Sequence, residues 1–174
     1  MPFETHEQNG LIWLTSPLLA GVRHGFSTRK GGVSLPPWDS LNLRTGCGDT
    51  PEALRENYRR FCAVIGADTE RVVLAKQVHE TTVRVVTAGD AGKGLWRERD
   101  YTADALITHE PDLPLFVFSA DCGILLLHDP VTGAVGAVHA GWRGCAEGIV
   151  EKTVAAMAAE YGAKPENILA AIGP

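Results

Sequence analysis

The sequence lacks any apolar run approaching the roughly 20 residues that a membrane-spanning helix needs. It also lacks a basic, apolar leader: its first residues, MPFETHEQNG, are polar and acidic, unlike a secretory signal. No CxxC pair occurs. The four cysteines, Cys47, Cys62, Cys122 and Cys145, are widely spaced, which points to reduced thiols in a cytoplasmic protein, not a disulfide scaffold. Positive charge is not in excess, because 16 basic against 21 acidic side chains leave a net charge of −5. Non-specific nucleic-acid binding draws on neutralised phosphates and is disfavoured by that balance, although a local basic pocket is compatible with it. Repeats and low-complexity tracts are absent. Arg29, Lys30, Gly31 and Gly32 could form an anion-binding turn, but the run matches no P-loop.

What is present fits one ordinary domain. The chain has 174 residues, 45% of them apolar, which suffices for a sizeable core and excludes three separate domains. The spacing predicts a helix over 50–65: Thr50 can cap it, Pro51 suits its first position, and Gly66 stops it. Leu54, Tyr58, Phe61 and Ile65 form its buried face. A second helix is predicted over 146–161, with a stripe of Val150, Val154, Met157 and Tyr161 and a C-terminal Gly162. Both stripes read as core. Strands are predicted at 71–75, 82–87, 104–108, 115–119, 124–128, 134–139 and 169–172. The runs VVLA, LFVF and ILLL are continuously apolar, as in strands covered on both faces. Asp129, Pro130 and Gly133 mark a turn that pairs 124–128 antiparallel with 134–139. The expected architecture is a single α/β domain with a mixed, largely buried sheet covered by helices, in α-β-β-α-like layers. Residues 1–10 read as an N-terminal tail and 11–174 as the domain. Stretches 25–49 and 88–103 show little periodicity, and loops of that length usually serve a site or a partner. The chain ends on apolar AAIGP, from which an incomplete C-terminal part is expected.

Three segments at strand ends carry metal-binding side chains: QVHE (77–80), ADCG (120–123) and HAGWRG (139–144). His79, Cys122 and His139 are 43 and 17 residues apart, so only the fold could assemble them. Two imidazoles and a thiolate form a good zinc set, and three protein ligands leave one position open, whereas structural zinc usually takes four. Taken singly, each has a plainer reading. His79 is equally a surface histidine and Cys122 equally a buried thiol. His139 is harder to dismiss, since it runs into two glycines and Arg143, a forked cationic donor beside a helix start that could seat an anion. Asp121 could orient a ligand, act as a base or cap a turn. His24 adjoins the glycine-rich loop and could line a cleft. His128 begins the turn, as a ligand support or a polar core group, and His6 and His109 read as peripheral.

The runs HGFSTRKGGVS (24–34), SLNLRTGCGD (40–49), QVH (77–79), TADALIT (102–108), ADC (120–122) and VGAVHAGWRG (135–144) resemble the multicopper polyphenol oxidase or laccase-domain family. Members have also been described as purine nucleoside phosphorylases and peptidoglycan editing factors. The resemblance covers the chain from about residue 11. It implies a catalytic α/β domain with Zn2+ held by His79, Cys122 and His139, and a monomer. Members commonly continue well beyond the length seen here. Glu80 stands where the family usually has Gly, and Gly123 follows ADC where the family often has other residues. Both changes bear on cleft shape and substrate preference.

The resemblance implies phosphorolysis of adenosine, inosine and methylthioadenosine, with adenosine deamination as a related activity. Small-molecule nucleoside and phosphate are then the partners, with neither nucleic acid nor membrane. Asp121, Cys122 and Arg143 are the catalytic candidates, and His24, Asn42, Arg44 and Arg59 the candidate substrate contacts. Six histidines are too few for several coppers, although Cu2+ could occupy the same donors in vitro. Three alternatives stay open: an amidase editing a peptidoglycan precursor with Cys122 as nucleophile, a copper-dependent polyphenol oxidase, and a non-enzymatic structural zinc domain.

Overall fold

A computed structural model describes residues 3–174. The fold is α/β, with open, largely buried mixed sheets flanked by helices, as the pattern of elements implied. It comprises two compact units, one ending at Thr69 and one spanning Glu70–Pro174.

The first unit contains three strands that the periodicity did not flag. β1 (Glu4–Gln8) pairs antiparallel with β2 (Leu11–Thr15), and β3 (Phe26–Ser27) adds to β2. Residues 4–8 are therefore paired, not a tail. The hairpin turns at Asn9 and Gly10, both at positive φ (52° and 77°), the pairing that a two-residue turn between strands favours. The helix α1 (Pro51–Ile65) has the expected ends. The Thr50 side chain accepts from the Ala53 N–H, and Gly66 is left-handed at φ 71°. Its buried face holds Leu54, Asn57, Tyr58, Phe61 and Cys62, while Ile65 is only half-buried.

The buried Asn57 explains how the irregular stretch before α1 satisfies its backbone. Its Oδ1 accepts from the Val33 N–H at 2.8 Å, and its Nδ2 reaches the Asn42 carbonyl and the Ser34 hydroxyl, each at 2.8 Å. The Tyr58 hydroxyl donates to the Leu43 carbonyl at 2.7 Å. Loop backbone groups that cannot join a sheet are paired with side chains of the helix instead.

The second unit is built on a five-stranded sheet with the order β10-β8-β9-β6-β5. Its strands are β5 (Val83–Val85), β6 (Ala105–Thr108), β8 (Gly123–His128), β9 (Val135–Ala140) and β10 (Leu169–Ile172). The pair β5–β6 is parallel and the other pairs are antiparallel, including the β8–β9 hairpin. A separate two-stranded parallel ribbon joins β4 (Val73–Leu74) to β7 (Leu115–Phe116). All four residues of β6 are buried, because alternate side chains face different layers. Ala105 and Ile107 pack with Ile149 and Met157, whereas Leu106 packs with Val73, Val86 and Leu113. The order of layers in this unit is helix, sheet, ribbon.

The predicted 146–161 helix is observed as α3 (Ile149–Tyr161), preceded by a short helix α2 (Trp142–Ala146). Gly148 separates them at φ 79°, which an L side chain rarely adopts. The inward face of α3 holds Ile149, Thr153 and Met157, with Val150, Val154 and Tyr161 partly buried at its margin. Gly162 caps α3 as expected. Among the described residues no helix is long and apolar enough to cross a membrane.

Candidate metal centre

Sheet register brings the chemistry together. The antiparallel pairing of Ala105 with Val138 continues so that Asp104 lies across from His139, whose N–H donates to the Asp104 carbonyl at 2.7 Å. On the other side of β9, Gly123 pairs with Ala140, which sets Cys122 opposite Gly141. Val138 and Ala140 point to the helix layer, so His139 between them points to the opposite face. The turn carrying His79 is fixed by two neighbours. Gln77 mimics a strand partner, donating from Nε2 to the Phe118 carbonyl at 2.8 Å and accepting the Phe118 N–H at 2.7 Å. Asp104 accepts the N–H groups of Val78, His79 and Glu80 at 3.2, 3.0 and 3.0 Å.

The result is one cluster in which the ligand atoms of His79, Cys122 and His139 all lie within 4.8 Å of one another. Zinc bonds of about 2.0–2.3 Å around a tetrahedral centre separate their donors by roughly 3.3–3.8 Å, so small side-chain rotations would close this set on an ion. The histidine rings meet edge to face, with centroids 4.8 Å apart. His139 is buried, Cys122 half-buried and His79 exposed, so the centre is closed on one side and open on the other. Its Nδ1 lies 2.8 Å from Asp104 Oδ1, which leaves Nε2 for a metal.

Gly141 supplies a second test of fit. Its backbone, φ −65° and ψ 164°, suits any residue, so glycine is not required there for conformation. A Cβ there would crowd the cluster, 3.2 Å from His79 Cδ2 and 3.3 Å from Cys122 Sγ, with His139 Cε1 in ordinary contact at 3.7 Å. All three neighbours belong to the candidate cluster. Gly141→Ala is therefore expected to keep the thermal stability of the metal-free chain while weakening zinc binding on the order of tenfold, by displacing ligands as outer-shell changes do. Chelator competition on the two proteins measures this.

Burial, and then the adjacent Asp121 carboxylate, hold the Cys122 thiol above its ordinary pKa in the metal-free chain. That is opposite to the lowered pKa of an activated nucleophilic cysteine. Asp121 is exposed, with Oδ1 3.8 Å from Cys122 Sγ. Arg143 is exposed over the Trp142 ring, 5.3 Å from its centroid, and among the described residues no carboxylate pairs with it. The helix start expected to seat an anion belongs to α2, only five residues long, which leaves Arg143 as the more substantial positive feature.

The candidate substrate contacts His24, Asn42, Arg44 and Arg59 all lie in the first unit. His24 Nε2 accepts the Ser16 N–H at 2.8 Å, and its Nδ1 lies 2.9 Å from the Val22 carbonyl. Asn42 donates to Asp49 Oδ2 at 2.8 Å and accepts the Arg44 N–H at 3.0 Å. Arg59 is exposed, 4.0 Å from Glu56. His128 is buried at the end of β8, and His6 lies against Thr15 and Trp13. Asp104 and Gln77 were not singled out from sequence. A carboxylate inside the apolar run ADALIT was the available signal for the first, since a buried charge requires partners.

Comparison with known proteins places this geometry in context. The family described as multi-copper polyphenol oxidoreductase laccase matches residues 23–174. A purine nucleoside phosphorylase of Corynebacterium glutamicum is 42% identical over 153 residues, covering 87% of this chain and 60% of that protein. One from Streptomyces coelicolor is 43% identical over 155 residues, covering 88% and 61%. The chain thus spans about 60% of the length of these relatives. The crystal structure of YlmD from Geobacillus stearothermophilus superposes with a TM-score of 0.90 at 33% identity, covering 99% of this chain and 65% of that one.

Proposed function

This chain belongs to the multi-copper polyphenol oxidoreductase laccase family, and on that premise we propose that its His79–Cys122–His139 cluster serves a zinc-dependent purine nucleoside phosphorylase. The observation that carries the proposal is a three-donor set with one open side, in a chain 42% identical to a protein named for that activity. His79, Cys122 and His139 would hold the zinc, which when bound would supply positive charge and Lewis acidity. Arg143, two residues beyond Gly141, offers an exposed cationic fork suited to a phosphate oxygen pair. As the glycosidic bond breaks, the phosphate oxygen bonds to the ribose carbon and the purine leaves with the bonding electrons. The base takes up the proton that phosphate gives up, and Asp121, exposed beside Cys122, is the carboxylate available to relay it. For adenosine deamination the same carboxylate would accept the proton of the attacking water. The substrates proposed are adenosine, inosine and methylthioadenosine.

A second reading has the family description behind it: copper-dependent oxidation of polyphenols. Two imidazoles and a thiolate also suit copper, which binds such donors more tightly than zinc. Reduction of dioxygen to water takes four electrons, however, and a single three-donor centre handles one at a time.

Chromatographic product analysis separates the readings. Zinc-loaded protein is expected to release adenine and ribose 1-phosphate from adenosine only when phosphate is added. Inosine formed regardless of phosphate would instead identify deamination. Oxidation of a catechol by the copper-loaded protein, with no nucleoside product under any condition, would overturn the phosphorylase reading in favour of the oxidase.

A further inference from the structure

We propose that Asp104 is the positioning residue of the metal centre, fixing His139 in the tautomer that presents Nε2 to the metal while holding the His79 turn in place. The inference rests on reading the cluster as a metal centre and is independent of the substrate. Each oxygen of this fully buried carboxylate faces two donors. Oδ1 lies 2.8 Å from His139 Nδ1 and 3.0 Å from the His79 nitrogen. Oδ2 accepts the N–H groups of Val78 and Glu80, at 3.2 and 3.0 Å. A carboxylate only accepts, so Nδ1 carries the ring hydrogen and Nε2 keeps its lone pair.

The three successive N–H groups form a concavity of the kind that binds anions. It depends on His79 standing at φ 62°, a conformation that non-glycine residues keep only when neighbours hold it. One buried charge therefore orients two ligands that are 25 residues before it and 35 after it in the chain.

Asp104→Asn tests this by shape-preserving loss of one acceptor. With the amide oxygen in the Oδ1 position, the N–H groups of Val78 and Glu80 both lose their acceptor. With it in the Oδ2 position only the His79 N–H does, because His139 can move its hydrogen to Nε2 and accept from the amide at Nδ1. The second arrangement strands fewer donors, so the variant should invert the tautomer and block Nε2.

Nitrogen-15 NMR of histidine-labelled, metal-free protein reads the tautomer at a pH where the ring is neutral. His139 is assigned by the signals that vanish in His139→Gln. The expected result is Nδ1–H in the wild type and Nε2–H in D104N, with zinc affinity lowered about 10- to 100-fold by chelator competition. An Nε2–H tautomer in the wild type overturns the proposal. So does a folded D104N with unchanged tautomer and unchanged zinc affinity. Should D104N not fold, the wild-type tautomer alone decides. Failure of the wild-type protein to bind zinc at all would overturn the metal reading itself, a result distinct from either tautomer outcome.

Discussion

Replacing Cys122 with alanine is expected to abolish stoichiometric zinc binding and turnover while leaving the fold in place. The thiol is one of three donors, and its loss leaves two imidazoles with an incomplete set. Affinity should fall well beyond the roughly 10- to 100-fold typical of outer-shell changes. Stability should barely change. Cys122 is half-buried in the turn before β8, and the side-chain contact its sulfur makes is the long one to Asp121. Equilibrium dialysis against zinc, with circular dichroism of the metal-free proteins, measures both effects. Full activity in C122A with zinc still bound would remove Cys122 from the centre.

The second large effect is on stability. Leu106→Ala is expected to cost about 2–5 kcal/mol, the range for emptying a leucine site in a core that relaxes only partly. Leu106 is completely buried on β6, between β9 and the edge strand β5, and packs into the ribbon layer with Val73, Val86 and Leu113. The same sheet offers an internal control. Val85, on the edge strand β5, is 37% exposed, and truncating it should cost less than about 1 kcal/mol because little burial is lost. Denaturant midpoints of the two variants give the comparison. Equal losses would show that the two-sided burial of β6 is not what holds this unit together.

Elements with local end signals are legible in the sequence. The Thr50–Pro51 start and Gly66 stop define α1 without reference to anything distant, and the Asp129–Gly133 turn defines the β8–β9 hairpin. That His79, Cys122 and His139 meet in one cluster is expected only through the resemblance, since each alone has an ordinary explanation. Gly148, inside the expected helix, instead separates α2 from α3, because a single glycine in AEGIV does not reveal its sign of φ. The β1–β2 hairpin was missed despite Asn9–Gly10, the strongest short turn signal in the chain, because β1 is an exposed, polar edge strand with no apolar alternation.

Asp104 was hidden for a different reason. Its partners lie 24 to 35 residues away, and only the β6–β9 register and the left-handed turn at His79 bring them to one carboxylate. No local pattern encodes that meeting. Gly141 is similar: its sequence context, HAGWRG, marks it as important, but what it makes room for is visible only from the three ligands around it.

His79, Cys122 and His139 are proposed to bind one metal ion and leave it open to a fourth group. Zinc X-ray absorption on the loaded protein tests this most directly. The account predicts one zinc per chain, with a single sulfur at about 2.3 Å and nitrogen or oxygen neighbours at about 2.0–2.1 Å, one of them exchangeable with added phosphate. A first shell without sulfur, or one closed by four protein ligands and unmoved by phosphate, would contradict it.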